Sequence, residues 1–400
     1  MKFKIPVARF TVLAQRVLPF AASGQSIDPG FGLLHVAVLD KGILRLSAHD
    51  PAAGARVMVK VTDFEPGAVA LNSAQLDKLA SILPDHGDMV VSTLSDARLR
   101  VDVGAHLRMD VPMRAESDCV PFPKPPTDGW FQVEEKRLHD VIKRCLWATC
   151  KDDSRPAFAG VSLTSERSMA TDGRIMSCLR PGLVPEGVAV VVPGDSWTRL
   201  VPLVEASTKK LGMCVEPNRV WFRGDDWAVS SQLIATSFPK ADDMIFDVDG
   251  DNIHHVGETA VRVHSILVNR AEALEVVKRI GGASVSQDAK KIGASVAFEL
   301  RDGEHLHFVS NYPFEDVGNS ILVDERVDWS EDSVSVDNPS GFVRLRDIGI
   351  YSYFMRMALS SLSSDVIKIM WADGPLLGNM PMQFHDEREG IVALVMPRRL

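Results

Sequence analysis

Hydrophobic residues recur along this chain with two periods that follow one another in a fixed order. At helical spacing, Pro6 to Leu18 places Val7, Phe10, Ala14, Val17 and Leu18 on one face, with proline in a tolerated first-turn position. The same period returns over Glu134 to Trp147, through Leu138, Val141, Ile142, Cys145 and Leu146, and again over Asn269 to Ile280. In the last of these, Asn269 and Glu272 predict a capping box and Gly281-Gly282 a stop. A second helix is predicted after a short apolar strand in each third of the chain. Val69-Ala70-Leu71 leads into Ser73 to Leu83, Val190-Val191-Val192 into Asp195 to Val204, and Phe342-Val343-Arg344-Leu345 into Asp347 to Leu359. Alternating segments then read as hairpin strands: Leu99 to Val103 turning at Gly104, Val220 to Phe222 turning at Gly224-Asp225, and Met382 to Phe384 turning near Gly390.

The order of elements thus occurs three times, and punctuation separates the copies. Pro121-Phe122-Pro123-Lys124-Pro125-Pro126 is too rich in proline to continue a helix or a ladder. Phe238-Pro239-Lys240 repeats its Phe-Pro-Lys core about one domain length later and runs into the acidic stretch Asp247 to Asp251. The predicted class is α+β: three repeated domains, each two helices packed on antiparallel sheet, over residues 1–124, 125–250 and 251–400. A chain of 400 residues is long enough for such a division.

Charge and chemistry narrow the function. The formal net charge is −9, which argues against a nucleic-acid binder unless the basic residues are gathered locally. They are, in part. The first helix of each third carries them: Arg9 and Arg16, then Lys136, Arg137, Lys143 and Arg144, then Arg270, Lys278 and Arg279. Catalytic patterns are missing. The sequence has no phosphate-cradling glycine loop, no nucleophile elbow and no paired-histidine zinc motif. Asp247 to Asp251 has its glycine at the wrong place for a calcium loop, and His254-His255 would diverge on a strand. Five cysteines without Cys-x-x-Cys spacing read as reduced, mostly buried thiols. No metal, cofactor or enzymatic activity is expected, and neither a membrane span nor a signal peptide is read from the sequence, so the expectation is a cytoplasmic protein.

Two segments resemble one family. Gly160-Val161-Ser162-Leu163, followed by Met169-Ala170-Thr171-Asp172-Gly173-Arg174, is similar to a strand pair ending in the Ala-Thr-Asp-Gly turn of the bacterial sliding clamp, the β subunit of DNA polymerase III. The terminus Val395-Met396-Pro397-Arg398-Arg399-Leu400 resembles that family's closing motif, and Ala235 to Lys240 is similar to the stretch that closes its middle domain. The resemblance implies a non-catalytic processivity factor of DNA-clamp fold, a head-to-tail homodimer closed as a ring around double-stranded DNA. Recognition would be sequence-independent, with helices lining the hole.

It also implies a cleft between the middle and last domains that docks short peptides of DNA polymerase and the clamp loader. Carried over by motif, the cleft would comprise Phe158, Thr171, Gly173, Arg174, Ile175, Met176, Pro239, Met244, Leu394, Val395, Met396, Pro397 and Leu400, with Arg398 and Arg399 at its edge. The methionines would suit several partners. The DNA-facing set implied is Arg9, Arg16, Lys136, Arg137, Lys143, Arg144, Lys278 and Arg279, with Lys151 and Arg155 on a loop after the middle domain's first helix. The chain departs from the family at Arg174-Ile175-Met176, at Asp243 and over Ala21 to Phe31, as would a divergent member encoded by a phage or mobile element. The competing reading is a repeat-built assembly or scaffold protein that does not encircle DNA.

Overall fold

A computed structural model describes residues 1–22, 28–95, 97–152, 154–205, 211–241, 244–246, 253–283, 295–301, 305–311, 321–330, 348–372 and 380–399. One motif, a leading strand running straight into a helix and then three antiparallel strands, occurs six times. The first copy is β1 (Lys2–Pro6), α1 (Val7–Val17), β2 (Leu33–Leu39), β3 (Ile43–His49) and β4 (Ala53–Lys60), followed by the short β5 (Thr62–Glu65). The second is β6 (Gly67–Asn72), α2 (Ser73–Ile82), β7 (Asp88–Ser95), β8 (Arg98–Val103) and β9 (Leu107–Pro112). The third is β10 (Phe131–Val133), α3 (Glu135–Cys145), β11 (Gly160–Leu163), β12 (Ser168–Thr171) and β13 (Ile175–Leu179). The fourth is β14 (Val190–Pro193), α4 (Gly194–Val204), β15 (Leu211–Glu216), β16 (Arg219–Arg223) and β17 (Trp227–Gln232). After β18 (Ile253–Val256) the fifth is β19 (Thr259–Asn269), α5 (Arg270–Gly282), β20 (Ser295–Arg301), β21 (His305–Asn311) and β22 (Asp324–Val327), with β23 (Trp329–Ser330) behind it. The sixth is β24 (Ile348–Tyr351), α6 (Ser352–Ser361), β25 (Val366–Ala372), β26 (Met382–Asp386) and β27 (Ile391–Val395), closed by β28 (Arg398–Arg399).

The helices follow the predicted spacing with small shifts. In α1 the buried stripe is Val7, Phe10, Leu13, Ala14 and Val17, so Leu13 takes the place expected of Leu18. Asn72 caps α2 by accepting from the amides of Ala74 at 3.0 Å and Gln75 at 3.4 Å. Asn269 accepts from the amide of Glu272 at 3.1 Å, but the Glu272 carboxylate turns away and accepts from the amide of Asp328. The expected capping box is therefore one-sided. The helix expected from Asp347 begins at Ser352, because Ile348 to Tyr351 pair as β24 with β20. The strand expected at Phe342 to Leu345 lies outside the described residues.

Sheet topology shows how the copies are joined. Leading strands are traded between neighbouring copies: β1 pairs with β7 and β6 with β2, β10 pairs with β15, β19 with β25 and β24 with β20. The last strands are also joined, between more distant copies. β4 pairs with β17 in an eight-stranded sheet, and β13 pairs with β27 in a ten-stranded one. Two five-stranded sheets end in β9 and in β22. By contacts the chain forms two compact units, Met1–His139 with Val192–Ala235 and Asp140–Val191 with Thr236–Leu400. In the first, Trp197 of α4 packs on Phe222 of β16 with ring centroids 5.5 Å apart; both are buried.

Candidate functional site

The helix residues expected to face DNA divide by exposure and partner. Arg9 on α1 is exposed and has no ionic partner among the described residues. Arg16, two turns along the same face, lies 3.7 Å from Asp226. On α3, Lys136 and Lys143 are exposed and Arg137 is half-buried. On α5, Lys278 pairs with Glu275 at 2.6 Å, and Arg279 forms a two-pronged pair with Glu325. These partners hold the Glu275 carboxyl below its usual range and raise the Arg279 guanidinium. The positive charge of α5 is therefore locally neutralised, whereas Lys143 of α3 is exposed to solvent.

Arg144 departs from the expectation. It is buried, with 5% of its surface exposed, and cannot face a ligand in solvent. Its guanidinium donates to Asp140 at 2.9 Å, to the carbonyl of Ser361 at 3.2 Å and to the hydroxyl of Ser363 at 3.3 Å, with Glu389 3.6 Å away. Its own carbonyl accepts from the hydroxyl of Ser177 on β13 at 2.6 Å. Next to this knot Asp386 is buried, which raises its carboxyl. Hydrogen bonds from the Ser364 hydroxyl and from the amides of Ser364, Ser363 and Glu389 more than offset this and hold it below its usual range. A buried charge with this many partners is structural; its position on a basic helix face gave no sign of that from sequence.

The loop after α3 is partly preformed. Asp152 accepts from the amide of Ser154 at 2.9 Å, and that bond lowers its carboxyl. Lys151 is exposed. Arg155 is exposed too, but its guanidinium donates to the carbonyl of Asp172 at 3.2 Å and sits 5.9 Å from the ring of half-buried Phe158. The structure thus ties Arg155 to the Thr171–Arg174 turn.

That turn is built by its own side chains. Asp172 accepts from the amides of Arg174 at 2.7 Å and Ile175 at 2.9 Å, and the Thr171 hydroxyl donates to the Ile175 carbonyl at 2.6 Å while accepting from the Gly173 amide at 3.0 Å. Gly173 has φ +90°, which suits a residue without a Cβ. Arg174 is exposed and its carbonyl accepts from the amide of Met396 at 2.8 Å. Ile175 pairs with Val395 and Met176 with Leu394, so these cleft residues, more than two hundred positions apart, are cross-strand neighbours.

Beneath the strand pair lies a methionine-rich core cluster of Met169, Met176, Cys178, Ile245 and Leu394, against which Phe238, Ala241, Met244 and Val392 pack half-buried. Pro239, Met396 and Pro397 are half-buried at its margin. Buried Gln383 holds the covering segment, donating to the carbonyl of Met244 at 2.7 Å and accepting from the amide of Phe246 at 3.1 Å. His385 Nε2 lies 3.0 Å from the same Gln383 oxygen. Burial, with Lys368 nearby, holds its imidazole down to about 4, so it is neutral and donates there.

Arg398 and Arg399 continue as β28, paired with β24 in another sheet of the same unit, so the tail is stitched down beyond Pro397. Leu400, Asp243, Asp153 and the Asp247 to Asp251 stretch lie outside the described residues. Sequence reasoning missed Phe238, Met169, Cys178 and Gln383. The first was signalled by the repeated Phe-Pro-Lys and by the Ala235 to Lys240 resemblance.

No family model matches the chain. It is 26% identical over 190 residues to the β sliding clamp of Caulobacter vibrioides (strain NA1000 / CB15N), a match covering 44% of this chain and 50% of that one. The chain therefore spans about half the length of the curated relatives it matches. The whole chain superposes on the DNA polymerase sliding clamp of Bacillus subtilis, covering 99% of it with a TM-score of 0.79 at 19% identity. It also covers all of the DNA polymerase III subunit beta of Bartonella birtlesii, solved bound to griselimycin, with a TM-score of 0.81 at 17% identity. Six strand–helix copies joined sheet to sheet are the DNA-clamp fold. Within that class the chain is similar to the bacterial β sliding clamps.

Proposed function

We propose that this chain is a DNA sliding clamp: a non-catalytic, cytoplasmic processivity subunit whose copies close around duplex DNA and dock polymerase and clamp-loader peptides in the Met176–Leu394 cleft. The observation that carries this reading is the fate of the six closing strands. β4 joins β17 and β13 joins β27, while β9 and β22 end their sheets with no such partner among the described residues. An open edge invites another strand. Among the described closing strands, the pairing that continues the rule is β22 of one molecule with β9 of a second, a head-to-tail contact that closes when the rotation permits. The reading divides the chain into three domains, 1–124, 125–250 and 251–400, each a pair of copies, and the traded leading strands support that division.

In this reading Arg9, Lys136, Lys143 and Lys151 supply a diffuse field for DNA that holds without gripping. Arg16, Arg137, Lys278 and Arg279 contribute less because carboxylates or burial screen them, and Arg144 is withdrawn from the set. Arg155 and Arg174 border the cleft. Two measurements test the reading. Native mass spectrometry should find a closed oligomer, and the assembled protein should stay on a nicked DNA circle and leave when the circle is cut. Fluorescence anisotropy of a labelled Gln-x-x-Leu-Phe peptide should show saturable binding that weakens at least tenfold when the chain ends at Val395. A monomer that binds neither circle nor peptide would favour the scaffold reading instead.

A further inference from the structure

Several arginines in this acidic chain find a carboxylate. Arg16, Arg100, Arg108, Arg144, Arg199 and Arg279 each do. One group in the first unit does not. In the β3–β4 register Ser47 faces Arg56 and Arg45 faces Met58, which makes Arg45 and Arg56 diagonal neighbours on one face of the sheet. Continuing across the sheet, Arg56 faces Ala228 and Ala228 faces Arg223, so a third guanidinium lies in the same row two strands away. This face is opposite the one on which Phe222 meets α4, since side chains alternate along β16.

None of the three has an ionic partner among the described residues. Two rest on aromatic rings instead, Arg56 with its carbon 5.4 Å from the centroid of Phe122 and Arg223 at 4.0 Å from that of Trp130. A ring occupies the flat face of a guanidinium and leaves its edge N–H donors unused. Arg45 and Arg56 are both half-buried, and the Nε of Arg56 is fully buried with no hydrogen-bond acceptor. Burial, and then the charge of Arg45, depress the Arg56 guanidinium. Two like charges at diagonal positions in partial burial, one of them with a buried donor that meets no acceptor, are costly without an anion.

We propose that Arg45 and Arg56 form a binding site for a phosphate group on this sheet face, with Arg223 as a flanking donor. The fork of each guanidinium matches a tetrahedral oxyanion, and two of them match its second charge. The site does not depend on any ring around DNA, so its test is separate from that of the clamp.

The experiment is thermal melting of the full chain, followed by tryptophan fluorescence, at one ionic strength in chloride, acetate, inorganic phosphate or a single-stranded oligodeoxynucleotide lacking terminal phosphates. Phosphate in tenfold excess over its Kd should raise the melting temperature by about 2 °C and perturb the emission of Trp130. Arg45→Gln should melt no lower than the parent in chloride, because it relieves the repulsion, and should lose the phosphate shift, with binding weakened at least tenfold. Arg56→Lys keeps the charge, removes the fork and should lose most of the shift. A shift with inorganic phosphate identifies a free ion or terminal phosphate as the ligand; a shift with the oligonucleotide alone identifies a phosphodiester. The proposal fails if neither moves the melting temperature, if acetate moves it equally, or if the shift survives in both variants.

Discussion

The two joints at which distant copies fuse use the same backbone device under different covers. β4 meets β17 through five residue pairs, and β13 meets β27 through five. Each is overlain by the connector that bears a Phe-Pro-Lys. Over the first joint Phe122 sits edge-on to Trp221 at 6.0 Å and beneath Arg56, and the same connector is fastened by Glu116 to His35 at 2.7 Å and by the Pro121 carbonyl to His49 at 3.0 Å. Over the second, Phe238 lies among Met169, Met176, Met244 and Leu394, and Gln383 is the fastening. Aromatic rings and guanidiniums are stiff and fix one geometry. Methionines repack at small cost. One joint has a stiff cover, and the other has a cover that can repack.

Variants that break this comparison should differ in size. The largest effect is expected for Arg144→Ala beside the second joint, which strands Asp140 in a buried site and should cost about 3–5 kcal/mol in urea unfolding. A loss under 1 kcal/mol would show that the knot is dispensable. Phe122→Ala should cost about 2–3 kcal/mol and leave peptide binding in the cleft unchanged. Phe238→Ala should cost only about 1–2 kcal/mol yet weaken that binding about tenfold. Equal behaviour of the two would erase the distinction between the joints.

The third effect is set by His385, whose folded value of about 4 lies below the ordinary 6.5. The unfolded chain therefore takes up this proton first. Its contribution is complete above about pH 6.5 and is lost as pH falls towards 4, by about 1–3 kcal/mol. His385→Gln should flatten that part of the stability profile, read by denaturant midpoints at pH 7 and 4.5. The smallest effect is expected for Thr171→Val, which removes one turn hydrogen bond at about 1 kcal/mol and should move the peptide affinity more than the midpoint.

Much of this was legible in the residues. The helix stripes declared themselves because period 3.6 over ten or more positions is hard to imitate, and five of the six helices begin within a residue of expectation. The threefold order was visible, whereas the sixfold order was not. The leading strands β1, β10 and β24 are only three to five residues long, too short for alternation to register, and Ile348 to Tyr351 were absorbed into a helix expectation. The Thr171 to Arg174 turn was legible by motif, and the amides that Asp172 caps follow from local chemistry. Arg144 and Arg155 were not, because burial and hydrogen-bond partners are set by residues far along the chain. Ser361 and Asp172 carry no mark in the sequence around either arginine.

The traded leading strands have a consequence for how such a chain arises and how it may be cut. A single copy gives away its first strand and receives another in return, so on its own it would present both a vacancy and an orphan strand. The smallest heritable piece that satisfies itself is a pair. Growth by duplication must therefore proceed two copies at a time. A proteolytic or genetic cut between β5 and β6 should leave fragments that recombine in solution, whereas a cut after β9 should leave one that folds around its own core.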